Sequence, residues 1–321
     1  MVAASRIKRV GRWAGAAILL AIAFGFHPAL VEWHLSRARR AIRTREDDQA
    51  YRHLQGAMWL APGRPDPVFL FARLHRRMGD AARVPALLRH AEKLGCDAEQ
   101  VERERVLLLA QSGRLNEAEP RLADLLLDDR GDGAEICEAY VRGCFANLRV
   151  SEATALLDAW QAEYPDDAEA RFMRGYLMQA LALRPEAVAA YREGLDLDPH
   201  NTRMRFRLAE VLSDEGRAEE AADLFDQCLR ETPDDPEVVC AWAEHVFRQG
   251  DLDRPREAME RLVERWPGRF ESRRLLGEIE LAGSRFAQAA AHLETAVRQR
   301  PYDTTARNAL GKALRALGRD D

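Results

Sequence analysis

The sequence is poor in the groups that carry most protein chemistry. Its five cysteines (Cys96, Cys137, Cys144, Cys228 and Cys240) include no CxxC pair, so neither a structural zinc site nor a dithiol redox motif is spelled out. The histidines are scattered. His53, His75, His90 and His292 fall on expected helices, without an HExxH arrangement or a paired acid at metal spacing. GxGxxG, GxxxxGK[ST] and GxSxG are missing, which removes the usual sequence signs of dinucleotide, phosphate-loop and serine-nucleophile chemistry. The carboxylate pairs Asp128-Asp129, Asp166-Asp167 and Asp234-Asp235 stand at expected helix ends, where capping accounts for them. No catalytic residue, metal site or cofactor is expected, and the chain reads as a non-enzyme.

Aromatic residues are also scarce, at 7%, while Ala, Leu, Arg and Glu dominate, a composition that favours helix over strand. Lysine is nearly missing. Lys8, Lys93 and Lys312 are the only three among 48 basic residues, and a GC-rich genome explains that bias more simply than a phosphate-binding role. The net charge of −5 is unevenly spread, because residues 1–45 carry nine Lys/Arg against the single Glu32. A nucleic-acid binder keeps its basic surplus on the folded domain, whereas here the remainder is acidic, so no nucleic-acid partner is expected.

One long apolar run is present. Arg6, Lys8, Arg9 and Arg12, in a basic tail over 1–12, precede residues 13–31, interrupted only by His27 and Pro28. At 1.5 Å per residue such a run reaches about 28 Å, the thickness of a bilayer's hydrocarbon core. The apolar centre, Ala14 to Phe26, also has signal-peptide length, but the one decent cleavage candidate, Ala21-Ile22-Ala23, lies inside it. An uncleaved transmembrane signal anchor over 13–31, with the lipid bilayer as a partner, is the preferred reading over a cleaved signal. The basic tail favours a cytoplasmic N-terminus and extracytoplasmic remainder, while Arg37, Arg39, Arg40, Arg43 and Arg45 pull the other way.

What is present everywhere else is a period. Pro165, Pro199, Pro233, Pro267 and Pro301 stand 34 residues apart. With one inserted residue around Gly131–Gly133, the phase continues upstream to Gly79-Asp80 and Pro62. The units are 31–64, 65–98, 99–133, 134–167, 168–201, 202–235, 236–269 and 270–303, with a closing helix over 304–317. In 202–235 a helix is predicted from Arg203 to Asp214 and a second from Ala218 to Arg230. Gly216 supplies the left-handed break between them, and Pro233 ends the second. Small residues recur where helices approach: Ala209, Ala221 and Cys228 match Gly175, Ala187 and Gly194 one unit earlier, and Gly277, Ala289 and Ala296 later.

Leu208-Ala209, Gly216, Ala221, Phe225, Cys228 and Pro233 carry a resemblance to the tetratricopeptide repeat (TPR) family, clearest over 134–317. Upstream, Cys96 and Arg130 take the proline slot. In 236–269, Pro255 takes a small slot near the start of a helix, where proline is tolerated. The resemblance implies an all-α fold, a right-handed α-α superhelical solenoid of about eight hairpins plus a C-terminal helix, with first helices lining a concave groove. Carried over slot by slot, it places Arg73, Arg77, Arg103, Arg142 and Phe145 in that groove. Phe172, Tyr176, Phe206, Glu210, Glu244 and Phe247 follow, a progression from basic through aromatic to acidic.

Phe172, Tyr176 and Phe206 are candidate peptide anchors, with burial as ordinary core the alternative. Three functions follow: a membrane-tethered scaffold binding a protein or peptide in envelope assembly, secretion or polymer export; a cytoplasm-facing recruiter of an enzyme; or a groove for a small ligand or glycan. The expected location is a bacterial inner membrane, single-pass, with extracytoplasmic repeats. There, Cys228 and Cys240, on adjacent helices, are the one pair within reach of a disulfide, although small buried thiols are the simpler reading.

Overall fold

Left-handed residues mark where each helix turns back on itself. In the computed structural model, which describes residues 28–129 and 131–319, Arg45, Gly79, Gly113, Leu148, Ala182, Gly216, Gly250, Ser284 and Gly318 all have positive φ. Successive members are 34 residues apart, except for one step of 35 between Gly113 and Leu148, across the stretch holding Gly131–Gly133. After each such residue, the next N–H commonly reaches back five positions, as Asp80 N to His75 O and Arg217 N to Leu212 O, both 2.9 Å. The bond satisfies a carbonyl that the helix end would otherwise leave bare. The chain is therefore punctuated twice per repeat, by this turn and by the proline.

The described residues are helical and fall into two compact units, the boundary lying at Leu156–Leu157. Unit 1 contains α1 (28–43), α2 (Asp47–Leu60), α3 (Pro65–Arg77), α4 (Val84–Lys93) and α5 (Ala98–Gln111). It continues with α6 (Leu115–Ala118), a 3₁₀ turn (Glu119–Arg121), α7 (Leu122–Leu127) and α8 (Gly133–Ala146). The three short pieces stand where one second helix is expected. Pro120 breaks it, because its ring nitrogen has no proton to give to the preceding turn. α9 (Val150–Glu163) contains the boundary.

Unit 2 continues with α10 (Ala168–Ala180), α11 (Arg184–Leu197), α12 (Thr202–Asp214), α13 (Ala218–Glu231), α14 (Pro236–Arg248), α15 (Asp253–Arg265), α16 (Phe270–Ala282), α17 (Phe286–Gln299) and α18 (Thr304–Ala316). Pro255 sits in the first turn of α15, whose N–H groups lack intrahelical acceptors in any case. The residues just after the prolines cap the next helix: Asp167, Asn201, Asp235 and Asp303 each accept a backbone N–H at 2.7–3.0 Å.

Packing follows the small slots. A Cβ on Gly175 would overlap the Tyr191 ring, one on Gly277 would overlap Leu293, and one on Gly143 would overlap the Ala110 carbonyl oxygen. Between them, large apolar side chains fill each unit: Val31, Leu35, Ile42, Leu54 and Leu74 in unit 1, and Met259, Leu262, Leu276 and Ile279 in unit 2. Each such side chain contributes roughly 1.5–3 kcal/mol on burial.

The basic tail 1–12, the expected span as far as residue 27, and Arg130 lie outside the described residues. Among the described residues no helix is long and apolar enough to cross a membrane. Val31, the last residue of the expected span, is 1% exposed in the protein core of unit 1.

Candidate functional site: a groove over α14

In unit 1 the arginines expected to line a groove are already engaged. Arg73 holds Asp132 with two hydrogen bonds, at 2.6 and 3.0 Å, and Glu135 at 2.9 Å. Arg76, buried beside them, pairs with Glu104 and donates to Gln111 at 3.1 Å and Glu135 at 3.0 Å. Arg77 donates to the Ile42 carbonyl and lies 3.5 Å from Asp47. Arg45 and Arg142 close on Glu138 from two sides, at 2.7 and 2.9 Å. Burial pushes the Glu135 and Glu138 carboxyls up, but the surrounding guanidinium groups outweigh it and hold both below the ordinary carboxylate range. Arg103 donates to the Asp128 and Asp129 carbonyls at 2.5 and 2.7 Å, tying down the end of α7. Arg73, Arg77 and Arg142 thus belong to an internal charge network, and Arg103 is spent on backbone carbonyls. The 340 Å³ cavity beside them has its charged groups matched in the same way.

The aromatic expectation also changes. Phe172 is buried against Tyr191, with ring centroids 5.9 Å apart, and the Arg203 guanidinium covers its face at 3.8 Å. Phe206 is buried against Phe225 at 6.3 Å. Both are buried rather than exposed anchors, because a first helix in this repeat turns its aromatic slot toward the second helix, and Phe206 shows only an edge to the cavity lined by α12, α14 and α16. Tyr176 is exposed, while Phe145 and Phe247 are half-buried, Phe247 against the core between α14 and α16. Cys228 and Cys240 form no disulfide. Cys228 Sγ points at the Thr202 carbonyl, and Cys240 Sγ lies 3.5 Å from Ser272 Oγ.

The acidic slots do converge. α12, α14 and α16 lie side by side and line a 270 Å³ cavity, with Phe206, Glu210, Glu237, Glu244, Glu271 and Arg274 among its walls. The repeat explains why space exists there. Arg207, Ala241 and Leu275 occupy one slot in three successive units, so the middle helix presents a methyl group where its neighbours present long side chains. Reading single-residue properties passes over Ala241, whereas aligning the units by 34 residues exposes the step from Arg to Ala to Leu.

Most charges at the rim are paired: Arg207 with Glu210 at 2.8 Å, Arg274 with Glu278 at 2.7 Å, and Arg300 with Glu271 at 2.7 Å. Glu237 and Glu244, two turns apart on α14 with Ala241 between them, form no ion pair among the described residues. Glu210 feels this surplus. Burial raises its pKa, Arg207 opposes, and Asp214 and Glu237 push it further up. The arrangement is an open groove over Ala241, lined by four glutamates and by Arg207, Arg269 and Arg274, with Glu237 and Glu244 facing solvent. Among the described residues no group of His, Cys, Asp and Glu has metal-binding geometry.

Tetratricopeptide repeat models match residues 184–243, 240–304 and 279–321. Residues 184–321 are tetratricopeptide repeats. The groove over α14 lies wholly within these TPR units. The crystal structure of PilW, a widely conserved type IV pilus biogenesis factor, is similar at 16% identity and a TM-score of 0.54, covering 58% of this chain and 86% of that one. YrrB, described as a TPR protein with an unusual peptide-binding site, is 16% identical with a TM-score of 0.48 over 59% of this chain and 96% of that one. MamA from residue 41 onward, from Desulfovibrio magneticus RS-1, is 20% identical with a TM-score of 0.48, covering 54% of this chain and 99% of that one. At such identities PilW bears on the fold alone. No curated protein matches the chain.

Proposed function

We propose that the chain is a membrane-tethered TPR scaffold without catalytic function, which takes a protein segment carrying a cationic side chain into the groove over α14. The observation that carries this reading is the cavity opened by Ala241 between the unpaired carboxylates of Glu237 and Glu244. A Lys or Arg side chain of a partner supplies the volume and the charge that this slot lacks, and the long neighbours Arg207 and Leu275 confine it. Phe206 adds an apolar edge. The apolar run that begins at residue 13 and ends ahead of Val31 tethers the chain to a bacterial inner membrane, with the repeats on the extracytoplasmic side.

A photo-reactive amino acid in place of Ala241 tests the groove, with the same group at exposed Asp223 on α13 as the comparison. Partner adducts are expected from position 241 and not from 223. Glu237→Gln with Glu244→Gln should weaken capture by about 0.5–1 kcal/mol per charge, a few-fold each. Equal adducts from both positions, or an undiminished adduct from the double variant, would rule the groove out. The opposite orientation draws support from the arginines that follow the span, Arg37 to Arg45. A reporter fused after Asp321, active on only one side of the membrane, decides between the two.

A further inference from the structure

The hairpin α1–α2 carries an outward face that the groove does not use. On α1, Val31, Leu35, Ala38 and Ile42 face the core, which leaves Leu30, Trp33, Arg37 and Arg40 as the exposed stripe at steps of three and four. On α2, Arg52 and Trp59 are exposed two turns apart on one side. Trp33 and Trp59, 47% and 82% exposed, are the two exposed tryptophans among the described residues, whereas Trp160 is fully buried and Trp242 and Trp266 are half-buried.

The order of residues along the two helices is the same. α2 runs back beside α1, so the start of α1 and the end of α2 share one end of the hairpin, where the described chain begins. At that end lie Leu30, Trp33 and Trp59. The arginines stand behind them: Arg37 about 6 Å and Arg40 about 10 Å from Trp33 along α1, and Arg52 about 10 Å from Trp59 along α2.

The guanidinium groups of Arg37, Arg40 and Arg52 have no carboxylate within ion-pair distance among the described residues. The nearby acids do not neutralise them: Glu32 is taken by Arg64 at 2.6 Å, Glu46 lines a small cavity with Arg37 and Arg40 but accepts from Thr44 without ion-pairing either guanidinium, and Asp48 meets Arg52 only through its backbone carbonyl. Arg37 lies 5.8 Å from the centre of the Trp33 ring.

We infer that this end of the hairpin docks against the surface of an anionic phospholipid bilayer. Apolar side chain, then indole, then guanidinium, in steps of several ångströms, is the order that acyl chains, the glycerol interface and the phosphates present to an entering helix. The unmatched positive charge selects anionic headgroups. The chain ahead of residue 28 holds the apolar run Ala14–Phe26 and no acidic residue, so it brings a bilayer to this end and no other. The inference rests on that tether reading, and adds a second contact made by the folded domain itself.

The test uses the full chain in vesicles containing phosphatidylglycerol and phospholipid brominated near the carbonyl end of its chains. Trp13, Trp33 and Trp59 are expected to be quenched. Trp33→Phe with Trp59→Phe, with the helical circular dichroism as the check on folding, should remove about two thirds of the quenched emission and leave the Trp13 part. Arg37→Ser, Arg40→Ser and Arg52→Ser should each lower the preference of the docked state for phosphatidylglycerol by roughly fivefold. Quenching equal in the double variant and the native chain would overturn the docking while keeping the tether. Quenching in neither would remove both. Protection of Trp33 and Trp59 that follows protein concentration rather than lipid would assign the face to a second copy and also overturn it.

Discussion

Four of the nine left-handed positions carry a side chain: Arg45, Leu148, Ala182 and Ser284, with φ of 57–58°. An L-residue in this conformation pays roughly 1–2 kcal/mol for the approach of Cβ to the following carbonyl, while glycine's looser unfolded chain returns part of that. Leu148 is also exposed, so its side chain contributes little packing. Leu148→Gly is expected to raise stability by roughly 0.5–1 kcal/mol, measured as the midpoint of urea unfolding. A lower midpoint would mean that Leu148 packs usefully despite its exposure. Gly143, which is not left-handed, has the opposite character, because a backbone carbonyl stands where its Cβ would go.

At the scale of elements, α3, α5 and α8 are joined by charge as well as by apolar contact. Glu138 on α8 receives Arg45 from the α1–α2 turn and Arg142 from its own helix. The pairing holds parts of the chain together across a separation of 93 residues. Glu138→Gln leaves two guanidinium groups facing a neutral amide, and the expected loss is about 3–5 kcal/mol, as for other buried pairs broken on one side. Glu138→Leu with Arg45→Met and Arg142→Met should recover much of that, since an apolar cluster of similar volume avoids the desolvation cost and leaves neither guanidinium facing it. If the triple variant is no better than Glu138→Gln alone, the network does more than balance charge. α6 and α7 are the weak counterpart, one helix cut by Pro120 and held at its end by Arg103.

For the whole molecule, these carboxylates set the response to acid. The folded pKa values of Glu135 and Glu138 lie below their unfolded values, with burial opposing and arginines prevailing. Their stabilisation is therefore complete above the unfolded carboxylate pKa, about 4.3, and is lost as pH falls toward the folded values. Glu210 in unit 2 has the opposite sign. Its raised folded pKa favours the protonated state, so its contribution grows in acid and declines as pH rises through that value. Hydrogen exchange resolved by residue, followed downward from pH 5, should show α3, α5 and α8 losing protection before α12, α14 and α16. Simultaneous loss in both units would argue against a controlling role for the buried network.

The sequence by itself determined the period, the helical hairpins and their caps, because these depend on local chemistry. Proline cannot donate, glycine tolerates positive φ, and an aspartate two or three residues ahead of an N–H caps it wherever the rest of the chain lies. Tertiary structure alone decided the site. Phe172 and Phe206 occupy the slots expected of them, but their burial depends on Tyr191 and Phe225 from the following helix. Arg73 and Arg77 read as free positive charge until α8 brings Glu135 alongside. Ala241 is unremarkable in its own helix and becomes the floor of a cavity only between Arg207 and Leu275. Composition counts charges and volumes one residue at a time, whereas a binding surface is what remains after neighbours have cancelled each other. In the groove over α14, what is left without an ion pair among the described residues is Glu237 and Glu244, one helix wide.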